Sequence, residues 1–305
     1  MHAPLKKEEV SHTGKWAYQK LYRANIFERA ESLFPYLGRL GFQAVSRTVA
    51  WTYAVTQPAI RQIVQNNLAL LGPASAGDAV RVFVNYGATI ADYVAIGVMD
   101  PKKVIDLCDE CLGMEHLQEA TRDGSGVILA TGHYSFFEFG AVVLSHMGYK
   151  VSIATLPEPS SDLCAWREKW RARWGTETIT VGTDPFSSLQ AIHALQAGRC
   201  MAVLADRPFG ERGIPVDLPG GRSLFSPSPA MLSWISGCKV LPVAVRRLPG
   251  GKYRITAHAP VQARSGSGES RDAEIARCTR EIAAALFAEI RQDPRQWYQF
   301  IPVGL

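Results

Sequence analysis

Between residue 125 and the C-terminus, short apolar runs alternate with longer amphipathic stretches, and this rhythm limits the possible folds of the 305-residue chain more than any other feature. "SGVILATGHYS" reads as a strand and "FFEFGAVVLSHMG" as a helix. "YKVSIATLP" and "SSDLCAWREKWRARWG" repeat the pair, followed by the strand "TETITVG" and the helix "PFSSLQAIHALQAG". The strand "RCMAVLADRP" and the helix "SPAMLSWISGC" come next. "KVLPVAVRRLPGGKYRITAHAPV" then supplies two strands joined by a Pro-Gly-Gly turn, before the closing helix "SRDAEIARCTREIAAALFAEIRQDP". Strands alternating with helices predict an α/β fold: a mostly parallel central sheet with helices on both faces, the late turn permitting an antiparallel edge.

The first hundred residues read differently. Residues 15 to about 56 carry aromatics and arginines at roughly helical spacing. Such a segment either lies in a membrane interface or packs its apolar stripe on the rest of the protein. "QPAIRQIVQNNLALLG" predicts a helix with Pro58 in its first turn and Gly72 past its end. "GDAVRVFVNYGATIADYVAIGVMD" predicts another. The chain thus divides into a helical portion over 1–110 and an α/β core over 111–305, within one domain spanning 1–305.

Composition narrows the partners. A formal charge of +5 with scattered lysines and arginines suits an anionic partner such as a membrane surface, a carrier protein or a phosphate group. No signal-peptide core and no run of about eighteen apolar residues is present, which predicts a cytoplasmic location. The six cysteines are then expected to be reduced and structural. Cys108 and Cys111 form a C-x-x-C without a second ligand pair, and "VIDLCDECLGMEHL" reads as a helical turn ahead of a loop, so no metal is expected. No G-x-G-x-x-G or phosphate-binding loop follows any strand, no G-x-S-x-G elbow occurs, and no nucleic-acid partner is expected.

His133 follows the strand "GVILAT" directly after Gly132, at the carboxyl end where α/β sheets place ligand sites. Glu138 lies five positions on, in the first helical turns. A carboxylate on one imidazole nitrogen fixes the tautomer and frees the other as a general base. On spacing alone, the two residues are either such a dyad or a satisfied polar pair.

The G-H-x-x-x-x-E pattern resembles the H-x-x-x-x-D/E motif of glycerolipid acyltransferases, and its glutamate form resembles the lipid A biosynthesis (late) acyltransferase branch, which includes phosphatidylinositol mannoside acyltransferases. Further segments are similar to that branch over about residues 58 to 300: Arg61, Asn67 and Leu68 in "IRQIVQNNLALL", and Arg171 and Gly175 in "WREKWRARWG". The block "MAVLADRPFGERGIPVDLPGGRSLFSPSPAMLSWISGCKVLPVAV" and the residues Pro294, Gln296 and Trp297 in "DPRQWYQF" continue the series. The resemblance implies transfer of a fatty acyl group from an acyl-CoA or acyl carrier protein thioester to a hydroxyl of a glycolipid or other lipid acceptor, without a metal or bound cofactor. His133 would be the general base and Glu138 its partner. Asp206 would contact the acceptor or His133, or simply pair with Arg207. Arg171 would hold an anionic group or lie on a solvated basic face. Tyr134 and Ser135 would line the site. Backbone N–H groups near Glu138, Arg171 or Arg207 are candidates for stabilising the oxyanion, and Phe136 and Phe137 either begin an acyl channel or belong to the core.

Two departures from the family pattern carry expectations. Arg23, Glu28, Arg29, Glu31 and Arg39 interrupt the segment where members carry a hydrophobic anchor, which predicts peripheral attachment to the inner face of the cell membrane. Leu218 and Pro219 stand where members carry aromatics, so the acceptor is expected to differ. An N-acyltransferase acting on an amine would use the same dyad, a thioester hydrolase would replace the acceptor with water, and a lipid-binding scaffold would need neither residue.

Overall fold

The computed structural model describes residues 23–158, 160–182, 187–208, 212–264 and 268–305. The beginning of the aromatic segment, residues 15 to 22, lies outside them. Among the described residues four helices come first: α1 (Ala24–Thr56), α2 (Pro58–Ala69), α3 (Ala76–Val98) and α4 (Pro101–Ile105). Pro35 and the left-handed Gly38 bend α1 in its middle, since proline cannot donate to the helical ladder and glycine tolerates positive φ. Ser75 and Asp78 cap α3 reciprocally, each side chain accepting from the other's backbone N–H. α1 packs along α3, and Asp92 of α3 fixes the pair by accepting from Arg39 at 2.7 and 3.0 Å and from Gln43 at 2.7 Å.

The core that follows contains β1 (Cys108–Leu112), α5 (Met114–Thr121), β2 (Val127–Thr131), α6 (Glu138–His146), β3 (Val151–Thr155), α7 (Ser161–Arg173), β4 (Glu177–Thr180), α8 (Ser187–Gln196) and β5 (Cys200–Leu204). After it come the hairpin β6 (Ile214–Leu218) and β7 (Gly221–Phe225), then α9 (Ser228–Ser236), β8 (Val240–Arg247), β9 (Tyr253–Ala257) and α10 (Arg271–Ile290). Seven strands form one sheet in the order β1-β9-β8-β2-β5-β3-β4. β8, β2, β5, β3 and β4 run parallel; β9 turns back against β8, and β1 follows β9 at the edge. The α/β class, the mostly parallel sheet and the antiparallel late turn therefore stand as expected. β2 is buried along its whole length, the pattern of a central strand covered on both faces.

Two local readings are corrected. Cys108 and Cys111 lie on an edge strand, not a helical turn, and β1 begins inside the portion expected to be helical. A register shift between Cys108 and Glu110 brings the two thiols to 3.4 Å of each other, because a bulge places an i, i+3 pair on one side of a strand. The hairpin β6–β7 is absent from the sequence reading, since Pro215 demotes "IPVDL" as a strand and the pairing is two-stranded.

Candidate active site

β2 and β5 are adjacent and parallel, with Thr131 opposite Leu204. Two residues beyond each strand end, His133 and Asp206 therefore emerge side by side at the carboxyl edge of the sheet. Gly132 makes their approach possible: a Cβ there would come within 3.2 Å of the Asp206 carboxylate. The His133 loop is held from the other side by the C-terminal segment. Ser135 N–H donates to the Gln296 carbonyl at 2.7 Å, Tyr298 N–H donates to the His133 carbonyl at 2.7 Å, and Tyr134 bridges to Trp297. Ser135 takes a left-handed backbone at φ 51°, an uncommon state for a non-glycine residue. That turn separates the histidine from the start of α6.

The imidazole has a partner on each nitrogen. Nδ1 lies 2.7 Å from Asp206 Oδ1, and Nε2 lies 2.9 Å from an Arg207 terminal nitrogen. A guanidinium only donates, so Nε2 is the acceptor and Nδ1 carries the proton toward Asp206. Burial, and after it the charge of Arg207, outweighs Asp206 and lowers the pKa of His133 below its ordinary 6.5. The ring is neutral at pH 7. Its side chain remains 17% exposed.

Asp206 is fully buried and richly held. Its Oδ2 accepts from the His133 N–H at 2.8 Å, from Trp297 Nε1 at 2.9 Å and from Gln299 Nε2 at 2.6 Å. Burial alone would raise its pKa; His133, Arg207 and the Trp297 bond overcome that and bring it to about 2. Gln299, absent from the predicted site, belongs to the same cluster as Trp297. The signal for it was the "Q-W-Y-Q" run, in which alternate residues of an extended segment face one side. Asn67, in the "Asn-Leu" helix, fixes that segment from behind by donating to the carbonyls of Gln299 and Ile301 and accepting from Val303 N–H.

Glu138 is not the partner of the imidazole. It begins α6, is 3% exposed, and both its oxygens accept from Arg171 of α7, at 2.9 and 3.2 Å, with Arg167 at 3.5 Å. The tight turn at Ser135 directs the first turn of α6 toward α7 while the imidazole faces β5. Arg171, itself buried, donates to Glu138 and to Thr178 Oγ1 at 3.3 Å, and with Glu138 and Arg167 it lines one side of the cavity beside α6. Tyr134 and Ser135 are each 1% exposed and packed inside, so neither lines open space. Phe136 is core. Phe137 turns its edge toward His133 at 5.9 Å and lines a mostly apolar cavity between α6 and the sheet, together with Leu129, Leu144 and Val243 and with the charged Glu138, Arg167 and Arg171. Among the described residues no group of three metal-ligating side chains converges.

The arrangement is a buried acid, an oriented neutral imidazole and a cation beside it at a strand edge, and an imidazole held in this way has the chemistry to accept a proton at Nε2. The sequence matches the family described as bacterial lipid A biosynthesis acyltransferase over residues 6–302, nearly its whole length. The chain belongs to that family. It is therefore an acyltransferase enzyme, of the kind that acts in the synthesis of lipid A-like molecules. A search of curated proteins gives no match. No described helix is long and apolar enough to cross a membrane, although the family's substrates are lipids.

Proposed function

We propose that this acyltransferase moves a fatty acyl group from a thioester, on coenzyme A or acyl carrier protein, to a hydroxyl of a glycolipid or related lipid acceptor, with His133 Nε2 as the general base. The acceptor hydroxyl displaces Arg207 from Nε2, gives up its proton as its oxygen attacks the thioester carbonyl, and Asp206 stabilises the imidazolium formed. The tetrahedral intermediate then collapses and expels the thiolate, which takes the proton back from Nε2. Arg207, freed from the ring but still beside it, donates to the developing oxyanion. Glu138 and Arg171 hold α6 against α7, and the acyl chain enters the apolar cavity that begins at Phe137.

The outer face of α1 supports work at a membrane surface. Tyr36 is 84% and Leu40 80% exposed, and Leu33, Leu37, Val45, Val49, Trp51 and Val55 continue the apolar series. A helix with one apolar face in water lies in the interface of a bilayer, here on the inner face of the cell membrane. The inward face of α1 meanwhile carries Arg39 and Gln43 to Asp92.

One observation carries the reading: Asp206 Oδ1 lies 2.7 Å from His133 Nδ1, which leaves Nε2, accepting from Arg207, as the ring nitrogen that can take a proton. The test follows free thiol released from acyl-CoA with and without a lipid acceptor, for wild type and His133→Ala. Acceptor-dependent release should fall by roughly a hundred- to ten-thousandfold in the variant. Equal release without acceptor would make the enzyme a hydrolase, and unchanged release by His133→Ala would remove the imidazole from the chemistry.

A further inference from the structure

A second polar cavity, of about 240 Å³, lies between α1, α3 and the β8–β9 turn, lined by Arg47, Asn85, Arg247, Asp293, Gln296 and Tyr298. Its charges do not balance. Two guanidiniums line it, those of Arg47 and Arg247, against one carboxylate, that of Asp293, with Asp92 behind. Asp92 is occupied by Arg39 and Gln43, by the Tyr253 hydroxyl, and more distantly by Arg247 Nε at 3.8 Å. Asp293 is occupied by Arg295 Nε at 2.8 Å and Gln296 Nε2 at 3.0 Å. Among the described residues, the lining arginines keep only the 3.8 Å approach of Arg247 to Asp92, and Arg47 has no ion pair. The Nε atoms of Arg47 and Arg247 are both buried there without a hydrogen-bond acceptor, the Arg247 side chain being 10% exposed. Burial, and then the charge of Arg247, pushes the pKa of Arg47 down, the mark of two like charges facing a common space.

Buried donors left unpaired cost free energy, and like charges held together cost more unless an anion lies between them. A phosphate group carries about −1.5 to −2 charges and three acceptor oxygens at neutral pH, which suits the two lining arginines, and guanidiniums bind phosphate in a two-pronged geometry. We propose that this cavity binds a phosphate group. Arg47 and Arg247 supply the charge-assisted donors, and the Asp92 network holds Arg247 and the neighbouring Arg39 in place.

The location gives the site a use. Arg247 ends β8, which runs parallel to β2, so this lining residue stands at the same edge of the sheet as His133. Gln296 joins the two. Its carbonyl accepts from Ser135 in the His133 loop at 2.7 Å, while its side chain accepts from the Arg247 N–H at 2.9 Å and donates to the Arg247 carbonyl at 2.9 Å. Tyr298 lines the cavity and donates its N–H to the His133 carbonyl. The phosphate thus sits one extended segment away from the base. This assignment stands apart from the acyl-transfer reading, because it concerns binding alone.

The test is calorimetric titration of the full chain with inorganic phosphate at fixed ionic strength, for wild type, Arg47→Gln, Arg47→Lys and the surface control Arg222→Gln. Wild type and the control should bind saturably and alike. Arg47→Gln should weaken binding at least tenfold and Arg47→Lys by less, since lysine keeps the charge but loses the fork. Two further probes assign the source: dihexanoyl phosphatidic acid for a lipid headgroup, and adenosine 3′,5′-bisphosphate for the phosphates of the thioester carrier. Whichever binds more tightly than inorganic phosphate, with the same dependence on Arg47, names the physiological bearer. Absence of saturable binding by wild type with all three probes, or binding unaltered in Arg47→Gln, overturns the assignment.

Discussion

Asp206 and Glu138 are both buried carboxylates held at a pKa of about 2, and they face different kinds of partner. Asp206 meets an imidazole that is neutral, titratable and partly open to the outside. Glu138 meets a guanidinium that never loses its charge and lies wholly inside. The first pair can change its protonation during a reaction; the second cannot. In the proposed mechanism a buried carboxylate serves the chemistry through what it touches, not through its own pKa, and proximity in sequence to a histidine does not decide which acid meets the ring.

The largest expected break in this contrast comes from Asp206→Asn. An amide in place of Oδ1 can no longer demand the Nδ1 proton, and the ring is free to take the other tautomer, with its proton on the nitrogen that must act as base. Loss of acyl transfer by roughly a thousand- to ten-thousandfold is expected, as for an acid that orients a catalytic imidazole elsewhere. Glu138→Gln should behave in the opposite way. It leaves Arg171 buried without a countercharge, which costs about 3–5 kcal/mol of stability, while the rate per folded molecule stays close to wild type. Acid should reveal the same contribution. The pKa of Glu138 is about 2 in the folded protein against an ordinary 4.5, so its stabilisation is complete above pH 4.5 and is lost as pH falls toward 2. Denaturant melts of the two proteins should converge over that window. A Glu138→Gln protein that folds normally and is as inactive as Asp206→Asn would restore Glu138 to the catalytic pair.

Much of this frame could be read from the residues, and the site only in part. Apolar runs of five residues such as "VILAT" and "CMAVL" announce covered parallel strands, because burial on both faces leaves no polar alternation to confuse the period. The same reading put His133 at a strand end. Its partner was less legible. Asp206 is 73 positions away in the chain, and only the pairing of β2 with β5 brings it to the ring; nothing local encodes that pairing. The spacing to Glu138 pointed wrongly because a five-residue separation fixes a direction only if the backbone between is regular, and Ser135 breaks it at φ 51°. Trp297 was singled out as part of a pattern without a task. Its N–H on Asp206 supplies one.

Arg207 sharpens the comparison most finely, since it acts on the titratable pair and has no counterpart that titrates at Glu138. Replacing it by methionine removes the donor proposed for the oxyanion, and the rate should fall by roughly a hundred- to a thousandfold. The pH profile carries the more specific signal. In the proposed mechanism the neutral imidazole is the active form, so activity should fall as pH drops through the His133 pKa, which lies below 6.5 in the intact protein. Arg207 contributes to that lowering and Asp206 opposes it. The acid limb of kcat/KM should accordingly move to higher pH in Arg207→Met, toward 6.5, and to lower pH in whatever activity Asp206→Asn retains. Glu138→Gln should leave the limb where it is relative to these two, because its carboxylate is spent on Arg171. A limb that moves the same way in both Arg207→Met and Asp206→Asn would mean that the group being titrated is not the ring lying between them.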